Sequence, residues 1–295
     1  MSELLEIVVR GLGTGATYAL LALGFVIIYR AMRVISFAQP ALMVAGAVAV
    51  SYLTPQVGFA LAVPLAVLVG AGLGLTVERT AIRPMIGKPV FVIAIITLGI
   101  DVVVRVFVNA LIGTDVRQLG DPWGLDNVTI LGVDVQQRYL AGFAAAAIVV
   151  AGLLAFLRWT RYGLAMRAVA LDQEAAMSQG ISVGKVFALS WALAGGLAAV
   201  AGVFVGTGSG VDQTTFIIAF AALPAIILGG IDSVGGAVVG GLAVGLVQSL
   251  VAGYQADVAP WLGANFQLVS PYLLMVAVLL VRPYGLFGTP EVERV

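Results

Sequence analysis

The feature that most constrains this chain is a set of long runs with no charge at all. Residues 11–29, 60–77, 139–157 and 186–206 are four of them. Each is close to the ~20 residues that an α-helix needs to cross the hydrocarbon core of a bilayer. The balance of the chain agrees: 61% of its 295 residues are hydrophobic, 10% are charged, and mean hydropathy is +1.09. A soluble protein of this length carries about a quarter charged residues and could not hide this much apolar surface in one core. The fold class is therefore all-α, a polytopic helical membrane protein.

Candidate spans run over 7–29, 40–53, 58–77, 91–112, 139–158, 184–206, 216–230, 235–253 and 267–281. The second and the seventh are short, as broken or partly entering helices are, and these are tolerated where protein covers them. The pattern predicts eight or nine membrane segments, some of them broken, within a single membrane domain over 1–295. The first run begins near Ile7, after two glutamates rather than a basic region. It reads as a retained helix, not a cleaved leader. In the stretch 113–138, Val128, Ile130, Val133 and Val135 alternate well enough for a short hairpin.

Formal net charge is zero, but its distribution is uneven. Arg30 and Arg33 share one gap between apolar runs. Glu78, Arg79, Arg83 and Lys88 share another, Arg158, Arg161, Arg167 and Lys185 a third, and Arg282 and Arg294 close the chain. The gap at 113–138 instead sets Asp115, Asp121, Asp126 and Asp134 against Arg117 and Arg138, while 207–215 and 254–266 carry Asp212 and Asp257 and no basic residue. The positive-inside rule puts the first group in the cytoplasm and the second outside. The sides alternate consistently with the N-terminus outside and the C-terminus inside.

Other features limit the chemistry. The chain has no Cys and no His, which excludes disulfides and thiol chemistry and removes the commonest proton shuttle. Asp101 and Arg105 lie inside a span, one helical turn apart. Such a pair neutralises itself, and its structural reading leads its functional one. Glycines recur at helix-packing spacing at Gly70/Gly74, Gly236/Gly240 and Gly241/Gly245, where small residues let backbones approach. Gly11, Gly13 and Gly15 open the first span. Thr17, Tyr18, Ser36, Gln39, Thr97, Asn109 and Gln248 are polar residues in apolar surroundings. Each must pair with a neighbouring helix or face a cavity, so together they are the candidates for a translocation path.

The most polar long run, "RAVALDQEAAMSQGISVGK" at 167–185, lies between two spans on the side predicted to be cytoplasmic. It reads as one helix from about Gly163 to Gln179. Leu164, Ala168, Leu171 and Ala175 form its weak apolar stripe, and Gly180 closes it in a left-handed conformation with Ile181 folding back. A stripe made mostly of alanine suits shallow docking in a partner's groove better than anchorage on a membrane surface.

"RAVALDQEAAMSQGI" resembles the cytoplasmic coupling motif of bacterial ABC importer permeases, here Glu174-Ala175-Ala176 followed by Gly180. Three further stretches narrow the resemblance to the branched-chain amino acid permease family, Liv type. They are "GLGTGATYALLALGFVIIYRAMRVISFAQPALMVAG" (11–46), "LPAIILGGIDSVGGAVVGGLAVGL" (223–246) and "VLLVRPYGLFGTPEVERV" (278–295), the last extending to Pro290-Glu291-Val292-Glu293. The resemblance covers nearly the whole chain, in the family's order. It implies a coupling helix at about 163–180, with Arg167, Ala168, Ala170, Asp172, Glu174, Ala175, Ala176 and Gly180 toward an ATPase. It also implies a bacterial inner-membrane location, a second homologous permease, two ATP-binding subunits, and a periplasmic or lipid-anchored substrate-binding protein.

The departures bear on cargo. Ser36 stands where the family often has asparagine, Gln39-Pro40 where it often has histidine-glycine, and Asp232 and Gly235 replace small or proline residues. Relatives of this architecture also move urea, short amides and other small polar molecules, which remain alternatives to branched-chain or related small amino acids. The chain lacks the phosphate-binding loop; "GISVGKV" at 180–186 has one residue too few between its glycines and a valine where a hydroxyl is needed. The resemblance therefore puts ATP and Mg²⁺ on partner subunits, with no cofactor on this chain. A stand-alone transporter or channel would need ion-coupling groups beyond Asp101 and Arg105. A membrane enzyme would need clustered catalytic side chains that the sequence does not offer.

Overall fold

The computed structural model of the protein describes residues 2–130, 132–263 and 265–289. The Pro290–Glu293 stretch and Arg294 lie outside the described residues. Among the described residues eleven α-helices form the body: α1 (Ser2–Met32), α2 (Gln39–Val57), α3 (Phe59–Val77), α4 (Val90–Ile112), α5 (Gln137–Trp159), α6 (Arg161–Leu171), α7 (Gln173–Ser178), α8 (Val183–Gly206), α9 (Ala222–Gly229), α10 (Val234–Val258) and α11 (Ser270–Val281). Strands β1 (Asn127–Ile130) and β2 (Val133–Gln136) form the hairpin predicted in the 113–138 stretch, antiparallel with Val128 opposite Val135.

Among the described residues, seven helices are long and apolar enough to cross a membrane, and two shorter apolar segments, Thr215–Gly229 and Phe266–Val281, accompany them. All nine fall on the runs read from the sequence. The seventh is broken, as its length suggested: a 3₁₀ stretch over Thr215–Ala221 leads into α9. The second is not short. Its helix runs without a break from Gln39 to Val57, and Pro55 lies within it. The first helix begins at Ser2 rather than near Ile7, because Glu3 sits in its first turn, where the helix dipole favours a carboxylate.

Helix α1 is the centre of the molecule. From Ala16 to Ile28 its side chains are buried, nearly all of them completely. A helix apolar on every side is what a fully enclosed position requires. It packs against α10, α8, α5 and α9. In lipid no hydrophobic force drives such contacts, so close backbone approach has to supply the dispersion energy. The glycines do this: a Cβ at Gly245 would overlap the Gly15 backbone, and one at Gly74 would overlap the Trp191 carbonyl group of α8. Helices α4 and α5 are mostly uncovered and present Phe91, Phe107 and Ile148 outward, as a lipid-facing surface requires.

The turn between α1 and α2 does not lie at an end of the bundle. The Thr97 Oγ1 accepts from the Phe37 amide (3.0 Å), and the Asp101 Oδ1 accepts from the Ala41 amide (3.1 Å). Both acceptors belong to the middle of α4, so α2 starts part-way along its neighbour. Non-helical backbone at that depth needs protein cover, and Ser36, Ala38 and Gln39 are completely buried. Asp101 supplies a distant N-terminal cap for α2 and also pairs with Arg105 at 2.7 Å. The Arg105 guanidinium lies 4.0 Å from the centre of the Phe216 ring.

Candidate functional site

Two regions have the geometry of functional sites, one at each end of α5. The first follows α5. Thr160 caps α6, its Oγ1 accepting from the Gly163 amide (3.0 Å). The chain reverses so tightly here that a Cβ at Gly163 would overlap the Leu157 carbonyl group. Arg167 donates to that same carbonyl.

The single helix expected over 163–180 is in fact two. Asp172 is extended (φ −155°, ψ 113°) and ends α6. Its carboxylate then accepts from the amides of Glu174 (2.9 Å) and Ala175 (3.0 Å), opening α7. A side chain that satisfies two of the orphan N–H groups favours a new helix start over continuation. The break also divides the expected stripe. Leu164 and Leu171 point outward from α6, Ala168 is half-buried, and Ala175 is exposed on the next helix. Gly163, Met166, Val169 and Ala176 face inward instead.

Gly180 closes α7 at φ +79°, the left-handed conformation expected from sequence. The Ile181 amide donates to Ala176 (3.0 Å) and the Gly180 amide to Met177 (2.9 Å), the paired bonds of a Schellman ending. Arg33, itself left-handed at φ +57°, donates from Nη2 to the Ala170 carbonyl (3.3 Å) and so ties α6 to the end of α1. Glu174 is exposed. The resulting elbow is bound to α1, α5 and α8, while Leu164, Leu171 and Met177 are left uncovered on its outer surface.

An ion pair missed by sequence reasoning braces the same end. One π turn follows α3, and its first residue, Glu78, is completely buried. Arg83 binds it with both Nε (3.1 Å) and Nη2 (3.2 Å), and Nη2 also reaches the Gly184 carbonyl of α8 (3.3 Å). Both residues were visible only as members of a charged gap; a glutamate five residues before an arginine at a span's end was the available signal.

The second region precedes α5. A cavity of about 840 Å³ opens at the hairpin end, between α1, α5, the 215–221 stretch, α10 and α11. Thr17, Tyr18 and Gln248 line it, and the Tyr18 hydroxyl donates to Gln248 Oε1 at 2.6 Å. The other four path candidates lie elsewhere. Ser36 and Gln39 sit at the buried turn into α2 and Thr97 faces that turn from α4; the Gln39 amide has no hydrogen-bond partner among the described residues. Asn109 is half-buried on α4.

Two charged residues on the cavity wall were read from sequence only as markers of sidedness. Arg138 donates from Nη1 to the Thr207 carbonyl (2.9 Å) and from Nη2 to the Tyr139 hydroxyl (3.1 Å). Its Nε is buried without a partner. Asp212 accepts at Oδ1 from the Thr214 amide (2.8 Å) and from the hydroxyls of Thr214 and Thr215 (both 2.9 Å). Burial alone would raise its pKa, but the bonds from Thr215 and Thr214 outweigh it and hold the carboxyl below its ordinary value.

The family model described as the permease component of the branched-chain amino acid transport system matches residues 7–279. The chain belongs to this family. The permease is 31% identical over 312 residues to the high-affinity branched-chain amino acid transport system permease protein BraD of Pseudomonas aeruginosa, covering 99% of this chain and 98% of that one. It is 29% identical over 309 residues to the protein LivH of Escherichia coli, described in the same words, covering 97% and 96%. Among solved structures, PsaBC from Streptococcus pneumoniae in complex with Fab shares the fold, with a TM-score of 0.51, 14% identity, and coverage of 93% and 91%. The permease is a transport subunit and not an enzyme.

Proposed function

We propose that this permease is the membrane-spanning subunit of an ATP-driven importer for branched-chain or related small amino acids. It works in the bacterial inner membrane with its hairpin end and N-terminus outside and its α6–α7 elbow and C-terminus in the cytoplasm. A second, homologous permease completes the pathway, and a periplasmic or lipid-anchored binding protein delivers the cargo. Two ATP-binding subunits hold the ATP and Mg²⁺.

The observation that carries this reading is the elbow. It is secured to α1 by the Arg33 bond and to α5 by the Arg167 and Thr160 bonds, and packs on α8, yet presents Leu164, Leu171 and Met177 bare. A surface of that kind suits burial against a partner, and its ties suit passing a partner's movement to the helices as a rigid body. The departures at Ser36 and Gln39 sit in the buried turn and not on the cavity wall. For that reason amino acids are preferred to urea or a short amide as cargo.

The test is cross-linking. The chain has no native Cys, so Leu171→Cys gives a single thiol on the elbow and Leu280→Cys, on the exposed side of α11, a control. In membranes holding the whole transporter, a short bifunctional reagent joins Leu171→Cys, and not Leu280→Cys, to an ATP-binding subunit. Capture of that subunit by Leu280→Cys alone contradicts the assignment.

A further inference from the structure

Among the described residues, Arg138 and Asp212 are the only charged ones on the cavity wall. They have opposite signs and do not pair with each other. Among the described residues the ion pairs are Arg83–Glu78 and Arg105–Asp101, so neither wall charge has a counter-ion. Asp121, the nearby carboxylate, accepts from the amides of Gly124 (2.9 Å) and Gly208 (3.3 Å), does not pair with Arg138 and does not line the cavity.

A buried N–H without an acceptor is costly, and a ligand carboxylate at Arg138 relieves that cost, while the half-exposed, threonine-bonded Asp212 carboxylate offers a fixed negative charge to an ammonium. Each wall residue also has unused bonding capacity at one identifiable atom. Arg138 is anchored through both Nη atoms but its Nε–H has no acceptor. Asp212 is anchored through Oδ1, which takes all three threonine bonds; Oδ2 receives none from a described residue. The side chains are therefore fixed in place with one polar group each left over. Next to them the wall is apolar at Val205, Ile217 and Ile218. The volume, about 840 Å³, falls within the roughly 300–1,000 Å³ usual for small-molecule sites.

We propose that Arg138 and Asp212 form a charge-sorting pair that admits a free α-amino acid as its zwitterion, the guanidinium facing the carboxylate and the Asp212 carboxylate facing the ammonium. This rests on the amino-acid reading of the cargo and names the groups that would recognise it. One ligand with both charges satisfies both walls. An uncharged amide or urea satisfies neither, and an anion or cation satisfies one while meeting repulsion from the other. The apolar side takes the hydrocarbon side chain.

The test uses two substitutions that remove the charge while keeping a polar group at each site. Arg138→Gln retains a donor for the Thr207 carbonyl. Asp212→Asn retains an acceptor for both threonines and changes only the oxygen that has no partner. Each variant is reconstituted in vesicles with the complete transporter and saturating binding protein. Uptake of a branched-chain amino acid and ATP hydrolysis are measured in the same vesicles. Uptake per ATP hydrolysed falls by about tenfold in each, the scale of losing one charge-assisted hydrogen bond. The charge-keeping variants Arg138→Lys and Asp212→Glu retain most of it. Native uptake in both neutral variants overturns the proposal, and so does equal damage from the charge-keeping ones, which would mark these residues as scaffold. If the native transporter takes up no amino acid at all, the cargo reading fails first, before any variant is compared.

Discussion

Gly180 offers the sharpest perturbation of the elbow. Its φ is +79°, and a Cβ placed there would meet nothing within 4 Å. Substitution therefore costs backbone conformation and no steric overlap. An L-residue in the left-handed region costs roughly 1–2 kcal/mol, with asparagine largely spared because its side chain bonds locally. A β-branched residue there is a genuine outlier and costs more. Against this stand the two Schellman bonds, from Ile181 to Ala176 and from Gly180 to Met177, together worth about 1–3 kcal/mol. Gly180→Asn keeps the ending closed, Gly180→Ala strains it, and Gly180→Val opens it and redirects Ile181. The ranking of damage is therefore Asn, then Ala, then Val. It is read as initial uptake rate and as co-purification with the ATP-binding subunits, with membrane insertion as the control. Asparagine and alanine decide the case, because side-chain volume ranks them in the opposite order. If Gly180→Ala is milder than Gly180→Asn, the left-handed argument is wrong.

Two other perturbations test separate parts of the account. Single cysteines at Gln118 and Gln173 report sidedness: an impermeant thiol reagent added to intact cells labels Gln118→Cys and spares Gln173→Cys, and equal labelling refutes the orientation. Arg105→Ala leaves the Asp101 carboxylate, whose side chain is 6% exposed, without its counter-ion, a loss of about 3–5 kcal/mol. Asp101→Asn leaves Arg105 more exposed, at 22%, and resting on Phe216, so its melting temperature in detergent falls less; the reverse order contradicts the buried-pair reading.

How much of this was legible in the sequence depends on how local the cause is. The nine apolar segments follow from run length, the β1–β2 hairpin from the alternation of Val128, Val133 and Val135, and the Gly180 ending from one glycine after a helical stretch. The break at Asp172 was hidden. The residue three places later, Ala175, cannot complete a capping box, and an aspartate without that partner looks the same within a helix as at its start. The embedded α1–α2 turn was hidden for another reason. Its acceptors, Thr97 and Asp101, lie 60 residues away in sequence from their donors, and no periodicity reveals which helices are neighbours. Arg138 and Asp212 were visible but read only for sidedness, since a charge in a loop fits the positive-inside count whether or not it also borders a cavity.

On the function proposed above, this permease cannot drive transport by itself and moves cargo only when ATP-binding subunits grip its elbow. The most direct measurement compares vesicles reconstituted with the permease alone and with the complete transporter, each supplied with ATP and Mg²⁺ on the elbow side and with cargo-loaded binding protein on the hairpin side. Concentrative uptake of a radiolabelled branched-chain amino acid is expected only in the complete set, with no ATP hydrolysis by the permease alone. Concentrative uptake, or ATP hydrolysis, by the permease without those subunits would contradict it.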